Sequence, residues 1–368
     1  MRDERYAKLA DVLVNYSVEV ERGNLVEIGG PPLAEPLIVE VYRSAIKAGG
    51  HPFMRIHLPS AIEIFYREAR QRQLRFISPI AEFENENVDR IISIWGDENT
   101  KALTSVDPKR QAARSAATEK LFTRFMEREA AGELKWVGTQ FPCNASAQDA
   151  EMSLAEYEDF VLKACLVHLK DPIAAWRKVH NRQAKICRAL DTKKTIRVVT
   201  KDTDLSFRCE GRKWVNCDGK ANMPDGEIFT GPIEDSVEGT IAFSFPACYM
   251  GREVHGVRLT FRKGKVTKAR ADKGEDFLHA MLDTDEGARR VGEFAIGTNY
   301  AVQEFTKNTL FDEKIGGTIH MAVGASIPES LGENRSGIHW DMVADMRDGG
   351  TIYADGKAVY RDGRFILK

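Results

Sequence analysis

Residues 292–341 read GEFAIGTNYAVQEFTKNTLFDEKIGGTIHMAVGASIPESLGENRSGIHWD. Within this stretch IHMAVG is an apolar strand entered from the Gly316-Gly317-Thr318 turn, which brings in His320. His339-Trp340-Asp341 fits a strand too, where residues two apart share a face and an imidazole and a carboxylate can converge. Glu313 lies in the polar turn FDEK and Glu293 in GEFAIG, at an expected helix end. Upstream, Glu227 precedes a Phe-Thr-Gly-Pro turn in MPDGEIFTGP. A lone histidine in a strand-rich domain is usually structural and a lone glutamate is usually on the surface. Here the group carries the reading. Carboxylates and imidazoles presented from turns and element ends are the donor types a pair of catalytic divalent cations takes.

Outward from that stretch the chain divides into two textures. From about residue 193 it consists of short β-branched or alternating runs, among them IRVVT, LSFRCEG, IAFSFPACY and TIYADGKAVYRDGRFIL. Asp-Gly and Lys-Gly pairs punctuate them as hairpin turns. One helix is expected at about 275–291. Before residue 193, short apolar strands (LVEIG at 25–29, Pro52–Ile56, Ile91–Trp95, Leu134–Gly138) alternate with helical segments. These include 7–22, Pro32–Ile46, 60–73, a long helix at about 108–131 stopped by Gly132, and much of 149–192. Strand–helix alternation argues for an open, mostly parallel sheet. The expected fold class is α/β: an open α/β domain over residues 1–192, then a strand-rich α+β metal-binding catalytic domain over residues 193–368.

Composition excludes several functions. A net charge of −2 gives nucleic acid no electrostatic footprint. The opening MRDERYAKLADVL lacks the apolar core of a signal peptide, and no apolar run approaches the ~20 residues of a membrane span. Six scattered cysteines without a C-x-x-C pair read as reduced thiols of a cytoplasmic protein, and a Cys209–Cys217 bridge is not expected. Gly29-Gly30-Pro31-Pro32 follows a strand but lacks both phosphate-loop patterns, and proline removes N–H donors such a cradle needs. His51 and His57 flank a strand and belong to no nucleophilic triad.

The motifs MPDGEIFTGP, GEFAIG, NTLFDE, TIHMAVG and NRSGIHWD, in this order, resemble the thermophilic metallo-aminopeptidases of the aminopeptidase T and aminopeptidase S type. The opening LADVLVNYSVEVERGNLVEI and the later GPIEDSVEG extend the resemblance along the chain, less specifically toward the N-terminus. Carried over position by position, it implies six metal ligands: Glu227, Glu293 as the bridge between two ions, Glu313, His320, His339 and Asp341. It also implies a homodimer acting on short peptides with two divalent ions, zinc, cobalt or manganese. One position departs. The family commonly has a tyrosine, thought to stabilise the oxyanion, in a G-x-x-Y-P context where this chain has Ile327 in GASIPES. Tyr300 and Tyr353 are the candidate replacements.

The chemistry implied is hydrolysis by a water activated between two ions, with the free α-amine bound, and Glu313 as the catalytic base where it is only loosely bound to metal; as a full ligand it would leave the base unassigned. Phe229, Ile327 and Trp340 would favour apolar N-terminal side chains. Loss of the tyrosine leaves open a two-metal hydrolase of another bond, or a low-activity metal-binding relative.

Overall fold

A computed structural model describes residues 3–367. The chain forms two compact units: residues up to Ile173 with Gly219–Met223, and Ala174–Asp218 with the residues from Pro224 on.

The first unit is built on a five-stranded parallel sheet in the order His51–Ile56, Leu25–Gly30, Arg90–Trp95, Lys135–Gln140, Asn222–Met223. Parallel neighbours need crossovers, and helices supply them. Glu35–Lys47 buries Leu37, Ile38, Val41 and Ala45 along one face. Pro108–Ala130 is the long helix expected. Asp107 caps its start by accepting from the Lys109 amide at 2.9 Å, and Gly132 follows its end at φ +72°. The helix expected over 60–73 is broken at Ala69, whose ψ of 135° is extended, into Pro59–Glu68 and Gln71–Leu74. A further helix at Pro79–Asn87, capped by Ser78, was not expected.

The second unit is strand-rich and mostly antiparallel. Eight strands run in the order Lys265–Arg270, Arg258–Arg262, Glu238–Ala242, Asp204–Arg208, Thr195–Val199, Thr351–Ala354, Lys357–Arg361, Arg364–Phe365. A second sheet runs His339–Asp345, Thr318–Gly324, Val291–Gly297, Glu227–Thr230, Val215–Cys217. One apolar core joins the two sheets, with Ile196, Val198, Leu205 and Phe207 from the first and Phe294, Ile296, Ile319, Met321, Trp340 and Met342 from the second. The helix Pro172–Leu190, expected in the first domain, contributes Ile186, Cys187 and Leu190 to this core. The division therefore falls about twenty residues before position 193, because those apolar side chains have their partners in the second unit. The expected helix at 275–291 is short: Glu275–Leu282, then a single 3₁₀ turn at Gly287–Arg289. None of the six cysteines is paired in a disulfide. Among the described residues no helix is long and apolar enough to cross a membrane.

Candidate metal centre

The five-stranded sheet of the second unit sorts its side chains by parity. Phe294 and Ile296 enter the core, so Glu293, Ala295 and Gly297 project from the other face. Ile319, Met321 and Val323 likewise leave His320, Ala322 and Gly324 on that face. Trp340 and Met342 leave His339 and Asp341 there. On the next strand Ile228 is in the core, which puts Glu227 on the site face with Phe229. The antiparallel register then aligns them. Glu293 pairs with Ala322, which pairs with Asp341; His320 sits opposite Ala295; His339 sits opposite Gly324; Glu227 sits opposite Gly297. Alanines and glycines at the facing positions leave room for the acids and imidazoles to meet above the sheet.

Glu313 arrives from a loop. Asn308 caps the short helix Thr309–Asp312 by accepting from the Leu310 amide at 3.1 Å, and Glu313 is that helix's C-terminal cap. Asp312 Oδ1 pins the preceding loop by accepting from the Thr306 amide at 2.7 Å and hydroxyl at 3.0 Å. The Gly316-Gly317 turn, with Gly317 at φ +101°, then leads into the His320 strand.

All six residues singled out in the sequence converge. His320 Nε2 lies 3.3 Å from Glu293 Oε1, 3.6 Å from Glu227 Oε2 and 4.0 Å from Asp341 Oδ1. His339 Nε2 lies 3.4 Å from Glu293 Oε2 and 3.4 Å from Asp341 Oδ2. The two oxygens of Glu293 thus face two different histidines. Three overlapping groups of donors result: Glu227–Glu293–His320, Glu293–His339–Asp341 and Glu313–His320–Asp341.

The spacing fits metal ligands. Zinc bonds of roughly 2.0–2.2 Å in a tetrahedron set the donor atoms roughly 3.3–3.6 Å apart. The four shortest imidazole–carboxylate separations, 3.3, 3.4, 3.4 and 3.6 Å, fall in that interval. Glu227 Oε2 and Asp341 Oδ1 are also buried without a hydrogen-bond partner. Orphaned buried acceptors are rare in native proteins, and cations held by these donor groups would satisfy them. The backbone orients His339 as a ligand. Its Nδ1 donates to the Ala325 carbonyl at 2.8 Å, which leaves Nε2 as the ring atom that faces the carboxylates.

Charge coupling is strong. Burial opposes a charge on either imidazole, yet Glu227 and Glu293 outweigh it and lift His320 to about 10. Asp341 and Glu293 lift His339 to about 12. Burial would raise Asp341 and Glu293 as well, but the histidines hold both below the usual carboxylate range. Glu313 goes the other way. Burial, together with Asp341 and Glu227, pushes it up to about 8 despite the adjacent Lys314.

Several expectations are corrected. Glu293 lies inside the strand Val291–Gly297, next to an irregularity in register between Val291 and Glu293, not at a helix end. Trp340 faces the core, stacked on Tyr249 at 5.4 Å, so it does not line the site. The Tyr300 hydroxyl donates to the Gly363 carbonyl at 2.9 Å, and Tyr353 belongs to the eight-stranded sheet, so neither is placed to replace the missing tyrosine. Two neighbours escape sequence reasoning. Lys314, 1% exposed, lies 2.6 Å from Glu313 Oε2 and 3.3 Å from Glu227 Oε1. In the sequence it looks like a solvated partner of Glu313. Gln183, on the Pro172–Leu190 helix, donates to the Glu227 carbonyl at 2.9 Å and accepts from the Thr298 hydroxyl at 2.7 Å. No local signal links it to a strand 44 residues away.

Known proteins resemble the whole chain. Residues 2–365 match the family described as thermophilic metalloprotease (M29). Aminopeptidase 2 of Geobacillus stearothermophilus is 27% identical, with 99% of this chain and 98% of that protein covered. Aminopeptidase T of Thermus thermophilus is 26% identical with 98% of each covered. Among solved structures, wild-type AmpT from Thermus thermophilus superposes with a TM-score of 0.84 at 24% identity, covering 99% of both chains. A 2,5-dihydroxypyridine dioxygenase from Pseudomonas putida superposes at 0.61 and 14% identity, covering 99% of this chain and 97% of that one. These structural likenesses establish the fold, and a fold shared with a dioxygenase does not by itself fix the chemistry. The family match does what the fold does not: this chain belongs to the M29 family of thermophilic metalloproteases.

Proposed function

We propose that this metallo-aminopeptidase releases the N-terminal residue of short peptides with two divalent ions that share Glu293. The observation that carries the reading is the split of the Glu293 carboxylate, one oxygen toward His320 and the other toward His339. Glu227 and His320 would complete one ligand set, and His339 and Asp341 the other. Mixed imidazole and carboxylate donors suit zinc, cobalt or manganese. When bound, such a pair supplies a water of near-neutral pKa, polarisation of the scissile carbonyl and a seat for the free α-amine.

The chain's own residues do the rest. Glu313 takes the proton of the attacking water and delivers it to the departing amine, a role open to a carboxylate placed beside His320 and Asp341. The Ala325 carbonyl keeps His339 in the tautomer that presents Nε2. Phe229 is buried on the site face, where it would favour apolar N-terminal residues. Ile327 offers no side-chain hydrogen-bond donor where the family carries tyrosine. That position favours a second reading, a slower enzyme or a two-metal hydrolase of another bond. The homodimer implied by the resemblance and the cytoplasmic setting read from the scattered cysteines belong to the same proposal.

Paired substrates test it. Leucyl amide with a free amine should be hydrolysed at least about a hundredfold faster than its N-acetylated twin, the amine seat being lost with acetylation. Equal rates on the two, or hydrolysis of esters alone, would sink the exopeptidase reading.

A further inference from the structure

Among the described residues, Lys314 is the lysine buried against the acids of the site. It is 1% exposed, and its ammonium contacts two carboxylates with different assignments: Glu313 at 2.6 Å and Glu227 at 3.3 Å. Asp225, buried at the turn before Glu227, adds a third attraction. Burying an ammonium is costly, and a well-packed apolar side chain of similar volume usually serves stability as well or better. Stability alone therefore does not account for a lysine here. Charge does. Five carboxylates (Asp225, Glu227, Glu293, Glu313 and Asp341) surround the site, and two divalent ions would balance the charge of four of them. The Lys314 ammonium neutralises the fifth, and it does so on the oxygen of Glu313.

Resting on the two-ion reading above, we propose that Lys314 is a positioning residue that keeps Glu313 out of the ligand sets. By holding Glu313 Oε2 and tying it to Glu227, the ammonium leaves Glu313 able to carry a proton and stops it from closing on an ion with both oxygens. A carboxylate fully committed to a cation cannot shuttle a proton. Without Lys314, Glu313 turns to the ions. Metal binding then strengthens while turnover falls. A merely structural lysine predicts the reverse, with both weakening together.

The test is Lys314→Met beside Lys314→Arg in the full chain, with zinc affinity measured by chelator competition and kcat and KM measured on leucyl amide. Lys314→Met is expected to bind zinc at least about tenfold more tightly, since a buried like charge has been removed. Its kcat should fall by about a hundredfold or more, in line with loss of a general base, with KM changed less than about threefold. Lys314→Arg, which keeps the charge, should return zinc affinity to within about threefold of wild type. Should ion-free Lys314→Met fail to fold, its melting temperature against zinc concentration reports the same affinity. A steeper rise than wild type supports the proposal, and a flatter one overturns it. Weaker zinc binding, or an unchanged kcat, also overturns it. A wild-type protein that holds no ions or leaves leucyl amide intact refutes the site reading itself, which separates the two failures.

Discussion

Replacing Glu293 by glutamine changes one atom in the middle of the centre. The side chain is 3% exposed, and glutamine has its shape, so packing against the neighbouring strand at Ala322 is preserved. What changes is the donor set. A carboxylate gives one oxygen to His320's side at 3.3 Å and one to His339's side at 3.4 Å. An amide has one acceptor oxygen and an NH₂ that cannot ligate, so only one ligand set keeps its third member. At an effective dielectric near 20, a unit charge pair at these separations is worth roughly 5 kcal/mol. Desolvation cancels part of this, and breaking a buried pair typically costs about 3–5 kcal/mol. That corresponds to a roughly hundred- to few-thousand-fold loss of affinity for at least one ion. Titration of metal-stripped protein should show ions per chain falling from two to one, with hydrolysis of leucyl amide lost. Two ions held with wild-type affinity, and turnover within about tenfold of wild type, would refute the shared-carboxylate geometry.

The same structure sets three further outcomes. Ion-free protein carries protons on both histidines at neutral pH, because their folded pKa values are raised to about 10 and about 12. Metal binding must expel them, so calorimetry in buffers of different ionisation enthalpy should register release of about two protons, and affinity should rise with pH between about 6 and 9. Heats that do not vary with the buffer would contradict that electrostatic picture. Gly324 has φ +107°, and a Cβ there would stand 2.1 Å from the Ile338 carbonyl oxygen, beside His339. Gly324→Ala should therefore destabilise the fold by ~2 kcal/mol or more, read as a lowered Tm, with metal affinity falling too. Ile327→Tyr should raise kcat about tenfold or more, a single well-placed oxyanion donor being worth roughly 10²–10³. An unchanged kcat would mean that another group already fills that role.

Much of the site was legible because β-strand parity is simple. His339 and Asp341, two apart, do converge, with Nε2 and Oδ2 3.4 Å apart. His320 does follow a glycine turn into an apolar strand. Glu293 was harder. The segment before it, EGARRV, continues a helical texture, whereas the chain leaves the helix at Leu282 and passes through one 3₁₀ turn before entering the strand at Val291. The parallel order of the first sheet was legible as a class, but not as the sequence 51–56, 25–30, 90–95, 135–140, because crossovers leave no mark in periodicity. Residues 174–190 were misassigned for a similar reason. An amphipathic helix shows that it has an apolar face and not which core receives it. Lys314 and Gln183 illustrate the remaining gap. Each looks like an ordinary surface side chain in the sequence, and only the tertiary fold buries one against Glu313 and Glu227 and hydrogen-bonds the other to the Glu227 backbone.

The most direct measurement is a titration of metal-stripped wild-type protein with zinc, cobalt or manganese, in which bound ions and leucyl amide hydrolysis are followed in the same samples. Turnover that appears as the second equivalent fills, and not before, is the result expected of two ligand sets joined through Glu293. Full turnover with one ion per chain, or two tightly held ions with no hydrolysis, would contradict it.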